Sequence, residues 1–210
     1  MMGQRQMKDP AERKNEQGFT LVELMVALLI SAVVMTGIFM LYRSQQRSYV
    51  MQDEVAAMQQ NLRSALYFMG REIRMAGCDP TGMAGAGFTV WAAGQLGFTM
   101  DTRGKDEDDP PDKDTSDPNE TVTYTLADGD GDGSADDLVR NTGGGNQLVA
   151  ENIAVLNFTY LDDQGNVAAL ASQIRSVQIT LRARTEQRYG TEKTKTVTTT
   201  IKCRNLGLGI

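Results

Sequence analysis

Ten residues, DGDGDGSADD from Asp128 to Asp137, form the stretch of this chain with the most obvious capacity for site chemistry. Asp128, Asp130 and Asp132 alternate with glycines, as do positions 1, 3 and 5 of a calcium-binding loop, and Gly133 stands where such a loop turns. Ser134 offers a backbone carbonyl and Asp136 falls at position 9. The chemistry implied is coordination, not catalysis. Calcium takes about six to eight hard oxygens, and crowded carboxylates repel one another without a cation. Position 12 is Val139, where such loops carry a bidentate glutamate, so Asp137 or an acid from a neighbouring loop would have to complete the shell. The competing reading is a solvated, metal-free Asp/Gly hairpin turn. The expectation is one structural Ca2+, holding the connection between a strand ending near Leu126 and one beginning at Leu138.

Other chemistry is restricted by what the chain lacks. It has no histidine and two cysteines, Cys78 and Cys203, which excludes histidine-based acid–base catalysis and multi-cysteine zinc sites. No activated-nucleophile context and no phosphate-binding glycine motif followed by a basic residue is present, so an enzyme is not expected. The net charge is −6, and 14 acidic residues lie between Asp101 and Asp137 against Arg103, Lys105 and Lys113. An acidic chain without a basic stripe is a poor ligand for nucleic acid.

The elements that must carry these residues begin with an apolar run. Phe19 to Tyr42 is 24 residues, charged only at Glu23. As a helix it spans roughly 36 Å, enough to cross a bilayer. A carboxylate inside such a span costs about 2.5–3.5 kcal/mol on insertion scales, so it needs compensation. Residues 1–18 are polar, with four basic and three acidic side chains. The run is too long for an ordinary secretory signal and lacks its small-residue cleavage site. An uncleaved signal anchor, leader inside and remainder outside, accounts for the orientation but leaves Glu23 unexplained.

The segment QGFTLVELMVALLIS resembles the class III signal of type IV prepilins and type II secretion pseudopilins: a short charged leader, Gly18, then Phe19, Thr20, Leu21 and Glu23 opening a long apolar helix. The resemblance implies that a prepilin peptidase cuts Gly18–Phe19 and methylates the new N-terminus at Phe19. The amine so released lies four residues from Glu23 on the same helical face, and it, or a neighbouring subunit's, can neutralise the carboxylate. A glutamate that snorkels to water is the alternative.

The helical pattern continues. Met51, Val55, Met58, Leu62, Leu66, Met69, Ile73 and Ala76 fall at spacings of four and three, and Gly77 and Pro80 supply a stop. A helix over residues 19–76 is expected, membrane-spanning over 19–42 and amphipathic over 43–76. Its distal half would lie on a sheet, with a coiled-coil dimer as the competitor. Residues 77–210 carry the alternation of strands in ETVTYTL, IAVLNFTYL, IRSVQITLRAR and KTVTTTIKC. Residues 101–120, charged and proline-bearing, are expected to form a surface loop, mobile or ordered only by a partner. The fold class is therefore α+β, and the pilin resemblance implies the same build: a long N-terminal helix half embedded in an antiparallel β head.

Downstream, MGREIRMAGCDP, VTYTL, LVRN, LVAENI and IRSVQITLRART resemble PilW-type minor pilins, with minor pseudopilin J of type II secretion a related possibility. The implied role is a minor pilus subunit that primes assembly or sits at the tip. Its partners would be the prepilin peptidase, other minor pilins, the major pilin and the inner membrane before assembly, with a tip adhesin as a further candidate. It would lie in the inner membrane with its head in the periplasm, then on the cell-surface pilus. A different class is an uncleaved bitopic binding module. In an exported, oxidising compartment Cys78 and Cys203 could bridge helix end to sheet, the alternative being two buried free thiols.

Overall fold

The structure, a computed structural model, describes residues 18–106, 109–185 and 192–207. The first seventeen residues of the expected leader lie outside them. The chain divides into two compact units, Met1–Ser48 and Tyr49–Ile210. One helix, α1 (Leu21–Ile73, 53 residues), passes from the first into the second.

In the first unit every described residue is exposed, although an 18-residue window of α1 reaches a mean hydropathy of 2.6. By length and composition the helix can cross a membrane. Among the described residues its apolar surface has no covering partner.

The second unit holds the distal part of α1 and two antiparallel sheets. Sheet one is a meander of β1 (Phe88–Ala92), β2 (Gln95–Thr99), β3 (Thr121–Ala127), β4 (Asp137–Asn141) and β5 (Asn146–Ala150), in that spatial order. Sheet two is β6 (Ile153–Leu161), β7 (Ser176–Arg184) and β8 (Thr194–Lys202). The sheets are linked by the Phe158 N–H donating to the Ala93 carbonyl at 2.7 Å and by the Tyr160 hydroxyl donating to the Ala92 and Gln95 carbonyls.

The apolar stripe of α1 builds the core of this unit. Met58, Leu62, Ala65, Met69 and Ile73 are buried in one cluster with side chains of both sheets, while Met51 at the start of the stripe is exposed. The alternation expected in the strands holds: Val177, Ile179, Leu181 and Ala183 of β7 are at most 1% exposed. The expected single helix to residue 76 is shorter at both ends. After Ile73 the Met75 and Ala76 N–H groups donate to the Glu72 and Ile73 carbonyls, i→i+3 bonds of a tightened last turn. Gly77 then takes φ +74° and its N–H leaves the helix for the Thr99 carbonyl, docking the helix end on β2. The β1–β2 hairpin, turning at Ala93–Gly94, was not among the strands expected from the sequence.

Candidate functional site

The N-terminal signal sits at the start of α1. Thr20 caps the helix: the Glu23 N–H donates to Thr20 Oγ1 at 3.2 Å, and the Thr20 N–H and hydroxyl both donate to Glu23 Oε2 at 2.9 Å. This is a reciprocal capping box, Thr-x-x-Glu, and the helix dipole adds to it by favouring an anion in the first turn. Glu23 therefore has work within its own helix. Among the described residues no donor reaches its Oε1, and that oxygen is the one open to an amine. Gly18 and Phe19 precede the helix, outside any regular element and exposed, Phe19 at 90% exposure. Both capping residues lie beyond the Gly18–Phe19 bond, so cleavage there leaves the cap intact.

The aspartate loop does not adopt the register anticipated for calcium. Asp128, Asp130 and Asp137 each place a carboxylate oxygen within 4.8 Å of the others. Asp137 is 2% exposed; its Oδ2 accepts from the Gly129 and Asp130 N–H groups at 3.0 Å and its Oδ1 from the Asn152 N–H. Asp128 accepts from the Gly131 and Gly133 N–H groups. Asp136, anticipated as a ligand, instead pairs with the Arg184 guanidinium of β7. Asp132 accepts from the Ser134 N–H, outside the cluster of three. The physical reason is local: glycines at φ +85° (Gly131) and +90° (Gly133) turn backbone N–H groups onto the carboxylates, meeting much of their demand for donors. What remains for a hard cation is the trio Asp128, Asp130 and Asp137.

Cys78 and Cys203 are free thiols, so the anticipated bridge is not formed. Cys203 is 2% exposed within the core. Burial pushes its thiol up to about 12, and it also raises Cys78, with Asp101 and Asp79 adding to that shift. A thiol held protonated is a poor nucleophile for exchange, which accords with core-filling cysteines.

The most extensive polar group joining helix to sheet escaped the sequence reading. Glu72 of α1 receives Arg140 of β4 through Nη2 at 2.8 Å and Nε at 3.0 Å to each oxygen, and the Tyr124 hydroxyl of β3 donates to it as well. Arg140 also donates to Gln147 Oε1 and lies over the Phe68 ring, 5.8 Å from its centroid. Burial opposes the Arg140 charge, but the Glu72 carboxylate outweighs it and holds the guanidinium above its usual range. Tyr124 is pushed up by burial first and by Glu72 second. No nucleophile–base pair accompanies this cluster; its chemistry is positioning.

Residues 13–39 match the prokaryotic N-terminal methylation motif. No curated protein matches the sequence. The motif implies processing by a prepilin peptidase and association with pilins, and with the apolar helix it supports membrane anchoring. The motif is carried on a long N-terminal helix whose distal part packs against antiparallel sheets, an α+β, pilin-like architecture.

Proposed function

We propose that the chain is a minor, PilW-like subunit of a type IV pilus, cut at Gly18–Phe19, methylated at Phe19, and used to prime assembly or to form the tip. The observation that carries this reading is the junction itself. Gly18–Phe19 precedes a capped helix whose residues 21–42 expose an apolar surface that none of the described residues covers. Lipid would cover that surface before assembly and neighbouring pilin helices would cover it afterwards, the two environments a pilin passes through. In the second, Glu23 Oε1 would meet an N-terminal amine, and a carboxylate buried with a partner is tolerable where an unpaired one is not.

In this reading the head, residues 77–210, faces the periplasm before assembly and the cell exterior after it. The function is structural, with no catalytic step. Any calcium at Asp128, Asp130 and Asp137 would brace the β3–β4 connection. Support for the PilW assignment comes from the downstream sequence resemblance, and the minor pseudopilin of type II secretion is the alternative.

The test is mass spectrometry of the N-terminal peptide from the native host. A chain beginning at N-methylated Phe19 supports a filament subunit, and its recovery in sheared pili or in the secretion apparatus separates the two readings. Retention of residues 1–18 in cells with an active peptidase would overturn both and favour an uncleaved bitopic binding module.

A further inference from the structure

Sheet two has β6 and β8 as its edges. The β6 edge meets sheet one, where its Ile153 and Phe158 N–H groups donate to the Asp136 and Ala93 carbonyls. The β8 edge, nine residues long, meets no described strand. The Cys203 N–H donates to the Arg175 carbonyl and the Lys193 carbonyl accepts from Thr185, so the odd-numbered residues face β7. By antiparallel alternation Thr194, Thr196, Thr198, Thr200 and Lys202 direct their N–H and C=O groups the other way. Among the described residues none of these backbone groups has a hydrogen-bond partner. Proteins normally blunt such an edge by short length, proline, a bulge or charge. The edges of sheet one, β1 and β5, are five residues each. By contrast β8 has no proline and no register shift, and residues 196–201 are uncharged. Threonine, valine and isoleucine there are strong strand formers.

The surroundings fix the sign of what can pair here. From residue 194 to 204 the charged side chains are Lys195, Lys202 and Arg204, all basic, in a chain of net charge −6. Arg182 stands opposite Thr196 in the register, and Arg74 of α1 lines the groove beside the strand. That groove, about 330 Å³, runs between β8 and the Leu66, Tyr67 and Gly70 positions of α1. Tyr67 is 73% exposed. An added strand would send alternate side chains over the groove. A second copy of the chain does not suit this edge. Pairing two β8 strands parallel and in register stacks Lys195 on Lys195 and Lys202 on Lys202, and antiparallel pairing centred on Thr198 brings the two lysines together across the axis.

We propose that β8 is a docking edge for an extended acidic segment of a partner protein, which adds a fourth strand to sheet two. Its backbone pairs with the outward groups of Thr194, Thr196, Thr198, Thr200 and Lys202, and its alternate side chains cover Leu66 and Tyr67. Carboxylates near its ends meet Lys195, Lys202 and Arg204. Main-chain bonds supply the affinity, and the lysines select against strands that are basic at their ends. The edge is built by the second compact unit alone, so the proposal holds for a pilus subunit and for a pseudopilin alike.

The probe is a fluorescently labelled peptide the length of β8, alternating valine and threonine with two glutamates at each end, added to the full chain in detergent micelles. Anisotropy should show saturable binding, and a counterpart with lysines at its ends should bind about tenfold more weakly or worse. Hydrogen exchange of the Thr196, Thr198 and Thr200 amides should slow with the glutamate peptide, a response that charge attraction alone does not give. Thr198→Pro removes an outward N–H and no ladder bond, so the sheet should form while binding falls roughly tenfold or more. Lys195→Glu combined with Lys202→Glu should reverse the preference between the two peptides, and this double variant decides the question if Thr198→Pro misfolds. Absence of binding up to about 1 mM peptide, equal affinity for both peptides, or unslowed amides would overturn the proposal. So would protection of the same amides in a peptide-free dimer, which would give the edge to a second copy.

Discussion

Arg140 on β4 and Glu72 on the last turn of α1 form a near-buried ion pair in which two guanidinium nitrogens engage the carboxylate at 2.8–3.0 Å. Their side chains are 10% and 14% exposed, so the pair is largely withdrawn from solvent. Removing one member leaves the other charge uncompensated. Glu72→Ala is predicted to destabilise the folded chain by about 3 kcal/mol or more. The apolar double replacement Glu72→Leu, Arg140→Met should recover part of that loss, the unpaired Tyr124 hydroxyl limiting the recovery. Denaturant titrations of the four members of this cycle give the coupling directly. A loss below about 1 kcal/mol for Glu72→Ala would place the pair among surface salt bridges instead.

Glu23 serves two masters, the cap and the proposed amine, and substitutions can separate them. Glu23→Gln keeps an acceptor for the Thr20 donors but cannot neutralise an ammonium group. Cleavage at Gly18 should continue while recovery of the chain in sheared filaments falls sharply. Thr20→Ala removes the cap oxygen at a cost of about 1 kcal/mol to the helix start and should leave filament recovery much nearer wild type. Immunoblots of processed and filament fractions read both outcomes. Equal incorporation of Glu23→Gln and wild type would remove the amine from the account of Glu23.

Gly77 joins the helix end to β2 with a backbone conformation that side chains disfavour. Its φ is +74°, and a Cβ added there would come within 2.2 Å of Leu206 Cδ2. Gly77→Ala is predicted to cost about 1–2 kcal/mol from the left-handed backbone alone, plus the displacement of Leu206. Adding Leu206→Ala should relieve the steric part and leave the conformational part. Thermal unfolding of the single and double variants separates the two; an unchanged Tm in Gly77→Ala would contradict both.

The thiols predict a pH response. Cys203 is raised from an ordinary 9.0 to about 12, so the folded state holds this proton more tightly than the unfolded state. Its contribution to stability is complete below about pH 9 and is lost progressively as pH rises towards 12. Between pH 8 and 11 the Tm of the wild type should fall more steeply than that of Cys203→Ala. At pH 8 iodoacetamide should label Cys78 slowly and Cys203 only after unfolding. A non-reduced mass lower by two hydrogens in chain from the native host would show that a bridge forms there.

The features legible in the sequence were those written as a local period. The 4-3 spacing of Met58, Leu62, Met69 and Ile73 predicts the buried face of α1, and the alternation in residues 153–161 and 176–184 predicts β6 and β7. The β1–β2 hairpin is harder to see because its strands have five residues each, and Gly94 and Gly97 interrupt the alternation. Thr20-x-x-Glu23 has capping-box spacing in plain view, but the cost of a charge in an apolar run draws the eye to Glu23 alone. The Glu72–Arg140 pair has no local signature: 68 residues separate its members, and each resembles an ordinary solvated charge until the chain folds. Asp101 and Glu120 belong to the same class, two acids in an acidic stretch whose burial only the tertiary structure reveals.

Every strand of the two sheets pairs with its immediate neighbour along the chain, without a crossover. The entropy of closing each pairing loop is therefore small for most strands, and hairpins of this kind form on a scale of about 1–10 μs. The distant contacts are those between residues 58–76 and strands as far along as β8. Folding speed should accordingly be governed less by sorting strands than by docking the helix stripe, the step with the longest sequence separation. Because that stripe leaves the ribosome first, it must wait with its apolar face open until the last strand arrives. A chaperone acting on this chain would have its longest opportunity there.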